Sequence, residues 1–313
     1  MDINFIQHWL RASWQASTAY PSTYSIRTKK NRAIWQCAIT ALLVQELLWW
    51  SILKSDVPNY WFTHYWNNID WKDLDFTFAQ FIEKPILSNI RNIDRVEILS
   101  NDNTQKRFEI LKTSFDKFIS RYEEIEKSVS CCKNCIQTEY FIHNTIYFGK
   151  NTQILLIWEA PAKTGWLISG KAWRDKEWKI LPSGKVMQQL LREIDMDLLD
   201  LTFLEGIKCF PQNRKNLKLS MQNCKNILYS QIDLLKPNIL LTLWDNPTRA
   251  FLWNSYNKFS TVAWNIFDIN IMNEKYKLIP IYHPSPISPL SLKGNIPIFT
   301  KIKNFLSNNM ETY

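Results

Sequence analysis

Four short apolar runs, separated by segments with helical spacing, constrain the fold of this chain more than any other feature. The runs are typical of buried strands, and they are Gln153–Trp158, Leu201–Ile207, Asn238–Leu243 and Lys277–Tyr282. Between them, apolar residues recur at three- and four-residue steps and predict helices over Gly184–Ile194, Leu217–Leu235 and Pro247–Tyr256. Strands that alternate with helices predict an α/β fold, a three-layer αβα domain around a four-stranded parallel sheet.

The first part of the chain has a different composition and predicts a separate domain. Residues 1–85 are rich in tryptophan, and helical spacing recurs over Ile34–Leu53 and in the charged stretch 91–130. We therefore expect two domains: a mostly helical N-terminal domain of unknown role over residues 1–125, and a catalytic α/β domain over residues 126–313. Basic residues between Arg27 and Arg32 predict either a contact to DNA or a solvated charge run, and both remain open.

The most apolar stretch, Ala33–Leu53, predicts a buried helix rather than a membrane span. It contains Gln36, Gln45 and Glu46, and a charged group at the centre of a bilayer costs a few kcal/mol. The start of the chain lacks the pattern of a secretory signal, so we expect a cytoplasmic protein with reduced cysteines. The net charge of +9 favours a polyanionic partner.

Five of the six cysteines fall into two groups that predict a metal centre. Cys132 and Cys135 form a CxxC motif, and Cys209 and Cys224 follow about 75 and 90 residues later. Four thiolates suit a [4Fe–4S] cluster or a structural zinc ion, and the spacing does not choose between them. It also leaves Cys131 open as an alternative to Cys132, although Cys132 gives the CxxC spacing.

Polar side chains follow three of the predicted strands at their carboxyl ends, where ligands bind in sheets of this type. Glu159 ends the first strand, Glu205 lies at the end of the second, and His283 follows the fourth. Further polar residues close to these strand ends are Lys208, Arg214 and Ser285. The sequence therefore predicts a cleft that contains two carboxylates and a histidine.

In their order and spacing, these motifs resemble the iron–sulfur branch of the uracil-DNA glycosylase superfamily. The resemblance covers residues 130–290 and is carried by CKNC at 132–135, WEAPA at 158–162, LEGIKCFPQNR at 204–214, Cys224 and HPS at 283–285. It implies a monofunctional enzyme that flips a nucleotide out of DNA, cleaves its N-glycosidic bond and leaves an abasic site.

The resemblance also implies a role for each candidate residue. Glu159 would position or deprotonate the attacking water, and His283 would stabilise negative charge on the departing base. Phosphate contacts would come from Lys208, Arg214 and Ser285. A structural [4Fe–4S] cluster, favoured over zinc, would be held by Cys132, Cys135, Cys209 and Cys224.

One departure from the family pattern predicts a change of substrate. Glu205 stands where relatives carry an asparagine that pairs with uracil. An ionised carboxylate only accepts hydrogen bonds, so it faces O4 of uracil unfavourably and suits the amino group of cytosine. The alternative is that burial keeps Glu205 protonated, in which case it donates to O4.

A second departure predicts that the base is larger than cytosine. Residues 171–183 form an insertion, and Trp166, Trp173 and Trp178 either stack on the extruded base or pack within the loop. Excision of ordinary cytosine would destroy the host genome. We therefore expect a modified cytosine, such as glucosylated hydroxymethylcytosine of phage DNA, and a role in antiviral defence.

Two alternatives remain open, a uracil-DNA glycosylase of DNA repair and a catalytically inactive DNA-binding relative. DNA, single- or double-stranded, is the expected partner, with no membrane and no obligate protein partner.

Overall fold

The computed structural model describes residues 2–20, 31–135, 145–162, 165, 169–171, 173–210, 213–253 and 255–309. These residues form two compact units, one of Met1–Ser120 with Leu306–Tyr313 and the other of Arg121–Phe305. Arg27, Lys29 and Lys30 of the basic run lie outside the described residues. No helix within the described ranges is both long enough and apolar enough to cross a membrane.

The first unit combines helices with an antiparallel sheet. Its helices are α1 (Ile3–Ser13), α2 (Cys37–Leu48), α3 (Arg95–Leu99) and the first part of α4 (Asp102–Ser130). Its strands are β1 (Ser51–Val57), β2 (Phe62–Ile69), β3 (Lys72–Leu74) and β4 (Ser88–Ile93), in the order β3-β2-β1-β4. All neighbouring strands in this sheet run antiparallel.

The sheet corrects the prediction of a mostly helical N-terminal domain. The run Ile34–Leu53, predicted as one helix, contains most of α2 and the start of β1. Helix α2 ends where Trp49 takes a φ of +60°, in the left-handed region, and the chain enters β1 at Ser51. An apolar run does not distinguish a buried helix from a buried strand by its periodicity, and here both occupy the same run.

The second unit is built on a six-stranded sheet. Its strands are β5 (Ile146–Tyr147), β6 (Asn151–Trp158), β7 (Leu201–Glu205), β8 (Ile239–Leu243), β9 (Phe267–Ile271) and β10 (Glu274–Ile281). Their order is β5-β7-β6-β8-β10-β9. The four central strands are parallel and coincide with the four predicted runs, whereas β5 and β9 pair antiparallel at the edges. The predicted four-stranded parallel sheet is therefore corrected to a six-stranded mixed one.

Helices follow the central strands and bury them. They are α5 (Pro182–Arg192), α6 (Leu217–Leu235), α7 (Asp245–Leu252) and α8 (Ile296–Asn309). Every residue of β7 and β8 is buried, as is typical of parallel strands covered on both faces. The carboxyl ends of β6, β7, β8 and β10 lie at one edge of the sheet, because these strands are parallel.

Candidate active site

A cavity of about 710 Å³ lies at the carboxyl ends of the central strands. Six of the residues predicted from the sequence line it, namely Glu159, Trp173, Glu205, Arg214, His283 and Ser285. Its apolar walls include Trp158, Phe203, Leu243 and Trp244. Its volume falls in the range of about 300–1,000 Å³ that is usual for ligand sites. The cavity therefore gathers the two carboxylates and the histidine that the sequence assigned to one cleft.

Glu159, the residue after β6, is held by two hydrogen bonds. Arg214 donates to its Oε1 at 2.6 Å, and the side-chain amide of Asn246 donates to its Oε2 at 2.7 Å. The glutamate side chain is mostly buried, whereas that of Arg214 is mostly exposed. The carboxylate is thus fixed in the cavity, and a guanidinium with most of its surface in solvent lies beside it.

Asn246 is a functional candidate that the sequence analysis missed. It is the second residue of α7, immediately beyond the carboxyl end of β8, so it lies at the same edge of the sheet as Glu159. Its position at the carboxyl end of the third central strand was the available signal, because ligands bind at this edge of parallel sheets.

His283 follows β10 and is held in its neutral form by its surroundings. Burial lowers the pKa of the imidazole, the charge of Glu159 opposes this shift, and the charge of Arg214 adds to it. The edge of the ring faces Trp158, with 5.5 Å between the ring centroids. A neutral imidazole at this place can donate one N–H hydrogen bond to a ligand without carrying a charge of its own.

Glu205 ends β7 and is buried, with 3% of its surface exposed. Its Oε2 has no hydrogen-bond partner within the described part of the chain. Burial raises the pKa of its carboxyl, the nearby Lys208 lowers it, and the charge of Glu159 raises it again, to about 8. The carboxyl group is therefore largely protonated at neutral pH and offers both a donor and an acceptor.

Two backbone hydrogen bonds join the ends of β6 and β7. The N–H of Gly206 donates to the carbonyl of Trp158 at 2.7 Å, and the N–H of Ile207 donates to the carbonyl of Glu159 at 3.0 Å. A Cβ at Gly206 would lie 2.7 Å from the terminal methyl of Met221 and 3.1 Å from the carbonyl oxygen of Trp158, so a side chain here would require Met221 to move. This backbone pairing sets the position of residue 205 relative to residue 159.

The position of Lys208 corrects its predicted contact with DNA. The side chain is only 2% exposed, and its ammonium group donates to the backbone carbonyl of Glu205. A buried ammonium that is engaged with the backbone does not reach a phosphate at the protein surface. Lys208 instead lies next to Glu205, and it lines a small cavity to which Cys224 also contributes.

The three tryptophans of the predicted pocket loop have different positions. Trp173 is buried and forms part of the cavity wall, with ring centroids 4.4 Å from Trp158 and 6.0 Å from Phe203. Trp178 is exposed and lies outside the cavity lining, next to the ammonium of Lys171. Trp166 lies outside the described residues.

Four cysteines line a second, small cavity in the same unit, and they are the four of the predicted ligand set, Cys132, Cys135, Cys209 and Cys224. Burial raises the pKa of Cys209, and the nearby thiols of Cys224, Cys135 and Cys132 add to the shift, to about 12. Cys131 is exposed and is not among the lining residues. In the described ranges, no group of three or more His, Cys, Asp or Glu side chains is arranged to hold a single metal ion.

Comparisons with known proteins match both units to families. The model described as "Uracil DNA glycosylase superfamily" matches residues 146–306, which contain the large cavity. The model described as "YunG protein" matches residues 2–120.

Curated relatives align with about half of the chain. A type-4 uracil-DNA glycosylase of Archaeoglobus fulgidus is 22% identical over 175 residues, which are 53% of this chain and 82% of that protein. The type-4 uracil-DNA glycosylase of Sulfurisphaera tokodaii is 26% identical over 171 residues, or 52% of this chain and 74% of that protein. That of Saccharolobus solfataricus is 27% identical over 168 residues, or 51% and 74%.

Proposed function

Because this chain belongs to the uracil-DNA glycosylase superfamily and is a DNA N-glycosylase, we propose that it removes a cytosine-type base that carries a bulky substituent. Glucosylated hydroxymethylcytosine of phage DNA is such a base, and its removal would be an antiviral defence. The observation that carries the proposal is the buried Oε2 of Glu205, which lacks a partner in the described part of the chain and belongs to a residue of the cavity wall.

Hydrolysis of the N-glycosidic bond fits the groups around the cavity. The target nucleotide first leaves the duplex and enters the cavity. As the bond to C1′ breaks, its electrons move to the base, and His283 donates an N–H hydrogen bond to the oxygen that gains charge. Water attacks C1′ and gives its proton to Glu159, which Arg214 and Asn246 hold in place. Glu159 and His283 both line this cavity, which argues against an inactive DNA-binding relative.

Recognition of the base is assigned to Glu205. In either protonation state, its carboxyl can accept a hydrogen bond from the amino group of cytosine. When protonated, its O–H can in addition donate to N3 of cytosine. The volume of about 710 Å³ exceeds the needs of a single pyrimidine ring and leaves room for a substituent.

Uracil is the second candidate base, and the pKa of Glu205 of about 8 favours it. A protonated carboxyl can donate to O4 of uracil and accept from its N3–H, as the amide of asparagine does. Excision of uracil would then require the proton. It should fall as the pH rises through about 8, where the carboxyl ionises, whereas a contact to a cytosine amino group would persist.

The experiment that tests the substrate compares three DNAs, containing uracil, plain cytosine or glucosylated hydroxymethylcytosine, and measures abasic sites. We expect release from the glucosylated DNA alone. Glu205→Asn should shift the preference towards uracil by about tenfold or more, because it restores an amide without a titrating proton. Release of uracil but of no base from the glucosylated DNA would contradict the proposal and leave the repair enzyme.

We also propose that the four cysteines hold a [4Fe–4S] cluster. The residues fit this group better than a single zinc ion. In a cluster each thiolate binds a different iron, so the four sulfurs surround a cavity, as Cys132, Cys135, Cys209 and Cys224 do. In a zinc site, all four ligands bind a single ion. Among the described residues, no group of three or more His, Cys, Asp or Glu side chains is placed to do so. The cluster would join the CxxC segment to Cys209, which precedes α6, and to Cys224 within α6.

A further inference from the structure

A cysteine, a histidine and an aspartate lie together in the first unit, to which no activity has been assigned above. Cys37 is the first residue of α2, His64 lies in β2, and Asp75 follows β3. Helix α2 packs on β2, where the side-chain amide of Asn67 donates to the carbonyl of Ala41 at 2.9 Å. This packing brings the amino end of the helix to the strand that carries the histidine.

The imidazole of His64 is held in one orientation. Its Nε2 lies 2.6 Å from Oδ2 of Asp75, and the other oxygen of that carboxylate accepts from the N–H and the hydroxyl of Thr77, both at 2.9 Å. The ring stacks on Trp66 at 5.6 Å and meets the edge of Phe81 at 4.9 Å. Asp75 therefore fixes the imidazole from one end while aromatic rings pack beside it.

The other end of His64 faces the start of α2. Burial lowers the pKa of the imidazole, but hydrogen bonds to Asp75 and to the thiol of Cys37 outweigh this and raise it to about 10. The amide nitrogen of Gln80 lies 2.9 Å from Nδ1, and its oxygen accepts from the backbone N–H of Trp35 at 3.3 Å. Gln80 thus joins the histidine to the segment that leads into the helix.

Cys37 is the first residue of α2, where it lies beside His64 and is largely buried, with 6% of its surface exposed. A helix N-terminus and an adjacent imidazolium both stabilise the negative charge of a thiolate. The first N–H groups of a helix have no acceptor within it, so they can donate to an oxyanion that forms beside the thiolate. A nucleophile, a base that is oriented by a carboxylate, and oxyanion donors are the parts of a cysteine hydrolase.

We propose that the first unit is a cysteine hydrolase that cleaves acyl compounds, esters or amides, with Cys37 as nucleophile. The thiolate attacks the carbonyl carbon and forms a C–S bond, and the bond to the leaving group breaks as His64 gives that group its proton. Water then attacks the thioester and gives a proton to His64, the C–S bond breaks, and a carboxylic acid leaves. Asp75 acts as a positioning residue that orients the imidazole.

The test uses p-nitrophenyl acetate on the full-length chain, with nitrophenolate release and peptide mass spectrometry as readouts. We expect acetylation of Cys37 well ahead of the exposed Cys131, the internal reference. His64→Ala should lower the rate by about 10²-fold. It should also change the pH profile of the rate, because the imidazole no longer takes up or gives a proton. Asp75→Asn should give an intermediate rate.

A matched control separates catalysis from stability. His8→Ala removes another buried histidine of the same unit, from α1, and should leave the acetylation rate unchanged. Thermal unfolding of each variant shows whether it is folded. The proposal is overturned if Cys37 reacts no faster than Cys131 in the folded protein, or if His64→Ala and His8→Ala behave alike.

An independent observation concerns backbone conformation. Among the fourteen tryptophans within the described residues, nine have a φ between +43° and +73°, a region that disfavours bulky side chains. They are Trp35, Trp49, Trp61, Trp71, Trp173, Trp178, Trp244, Trp253 and Trp264. Three of them have side chains that lie almost entirely in solvent: Trp49, Trp61 and Trp71 are 91%, 94% and 98% exposed.

Two of these positions have conformations that are usual for glycine. Trp49 is the left-handed residue that ends α2, where glycine is the common choice. Trp244 has a φ of +73° and a ψ of −169°, a region that is essentially restricted to glycine. The chain has only six glycines in 313 residues, whereas average usage is about 7%.

We infer that these nine positions are glycine positions of the fold, and that their codons are read as glycine in the organism that uses the gene. Tryptophan and glycine are both meanings that variant genetic codes give to the codon UGA. Trp244 lines the large cavity, so glycine at this position would enlarge the site for the base.

The test replaces the three exposed tryptophans, Trp49, Trp61 and Trp71, by glycine and compares thermal unfolding with the parent chain. We expect Tm to rise by about 5 °C or more, because each relieved left-handed residue adds a few degrees. As a control, Trp9→Gly, Trp14→Gly and Trp66→Gly in the core should each lower Tm. An unchanged or lower Tm of the chain with these three glycines would overturn the inference, as would tryptophan at these positions in peptides from the natural host.

Discussion

Glu159→Gln is expected to lower the rate of base release by about 10²–10⁴-fold, because an amide cannot take a proton from the attacking water. The variant retains the size of the side chain and an oxygen that can accept from Arg214 or from Asn246. A loss of activity therefore reports the missing proton acceptor rather than a collapsed cavity. The measurement is the single-turnover rate of abasic-site formation, with enzyme in excess over DNA.

Asn246→Ala gives the matched comparison for this prediction. It removes one of the two hydrogen bonds that hold Glu159 but leaves the carboxylate itself, so a smaller loss of rate is expected. DNA binding by both variants should be measured in parallel, since an inactive binder would retain its function in each. Equal rates for Glu159→Gln and the parent chain would remove Glu159 from the chemistry.

If the four cysteines hold the proposed [4Fe–4S] cluster, Cys224→Ser is expected to abolish it and to destabilise the second unit severely. Cys224 lies in α6, so its loss would detach that helix from the cluster. A cluster that joins separate segments contributes a large part of a domain stability of about 5–15 kcal/mol. Iron and sulfide content, the visible absorbance of anaerobically purified protein and thermal unfolding are the measurements.

Cys131→Ser is the matched control, because Cys131 is next to Cys132 in sequence but is exposed and does not line the cysteine cavity. It should retain the full iron content and the Tm of the parent chain. Stoichiometric zinc in place of iron would contradict the assignment of the cluster. So would an unchanged iron content in Cys224→Ser.

The sequence predicted the central strands well because their burial on both faces leaves unbroken apolar runs. The edge strands have no such apolar run and were not predicted. Strand β5 has only two residues, and apolar and polar residues alternate along β9. In the first unit, helix and strand share one apolar run, so the antiparallel sheet was not visible. The pattern of apolar residues indicates which residues are buried. It does not distinguish a buried helix from a buried strand when both lie in one continuous apolar run.

The sequence predicted which residues form the candidate active site, but not the burial or the pKa values of their side chains. The strand ends placed Glu159, Glu205 and His283 together, since parallel strands share an edge. Burial then decided their chemistry, because it raises the pKa of Glu205, lowers that of His283 and removes Lys208 from the surface. Such effects depend on the whole environment of a group, which a motif does not contain.

The arrangement of Cys37, His64 and Asp75 left no comparable signal. The three residues come from a helix, a strand and a loop, and the folded chain places Asp75 and Cys37 beside His64. Hydrogen bonds in the structure, not the spacing of residues in the sequence, indicate this arrangement.

The backbone pairing between the ends of β6 and β7 has a consequence for how this enzyme changes its target in evolution. Main-chain atoms of Trp158, Glu159, Gly206 and Ile207 make those bonds, so they persist whatever side chain follows Leu204. A single exchange at position 205 can therefore alter the polar groups that line the cavity, while Glu159 keeps its place. Under the proposed function, a change in the DNA chemistry of a virus would be met by one codon, and the groups proposed for hydrolysis would stay as they are.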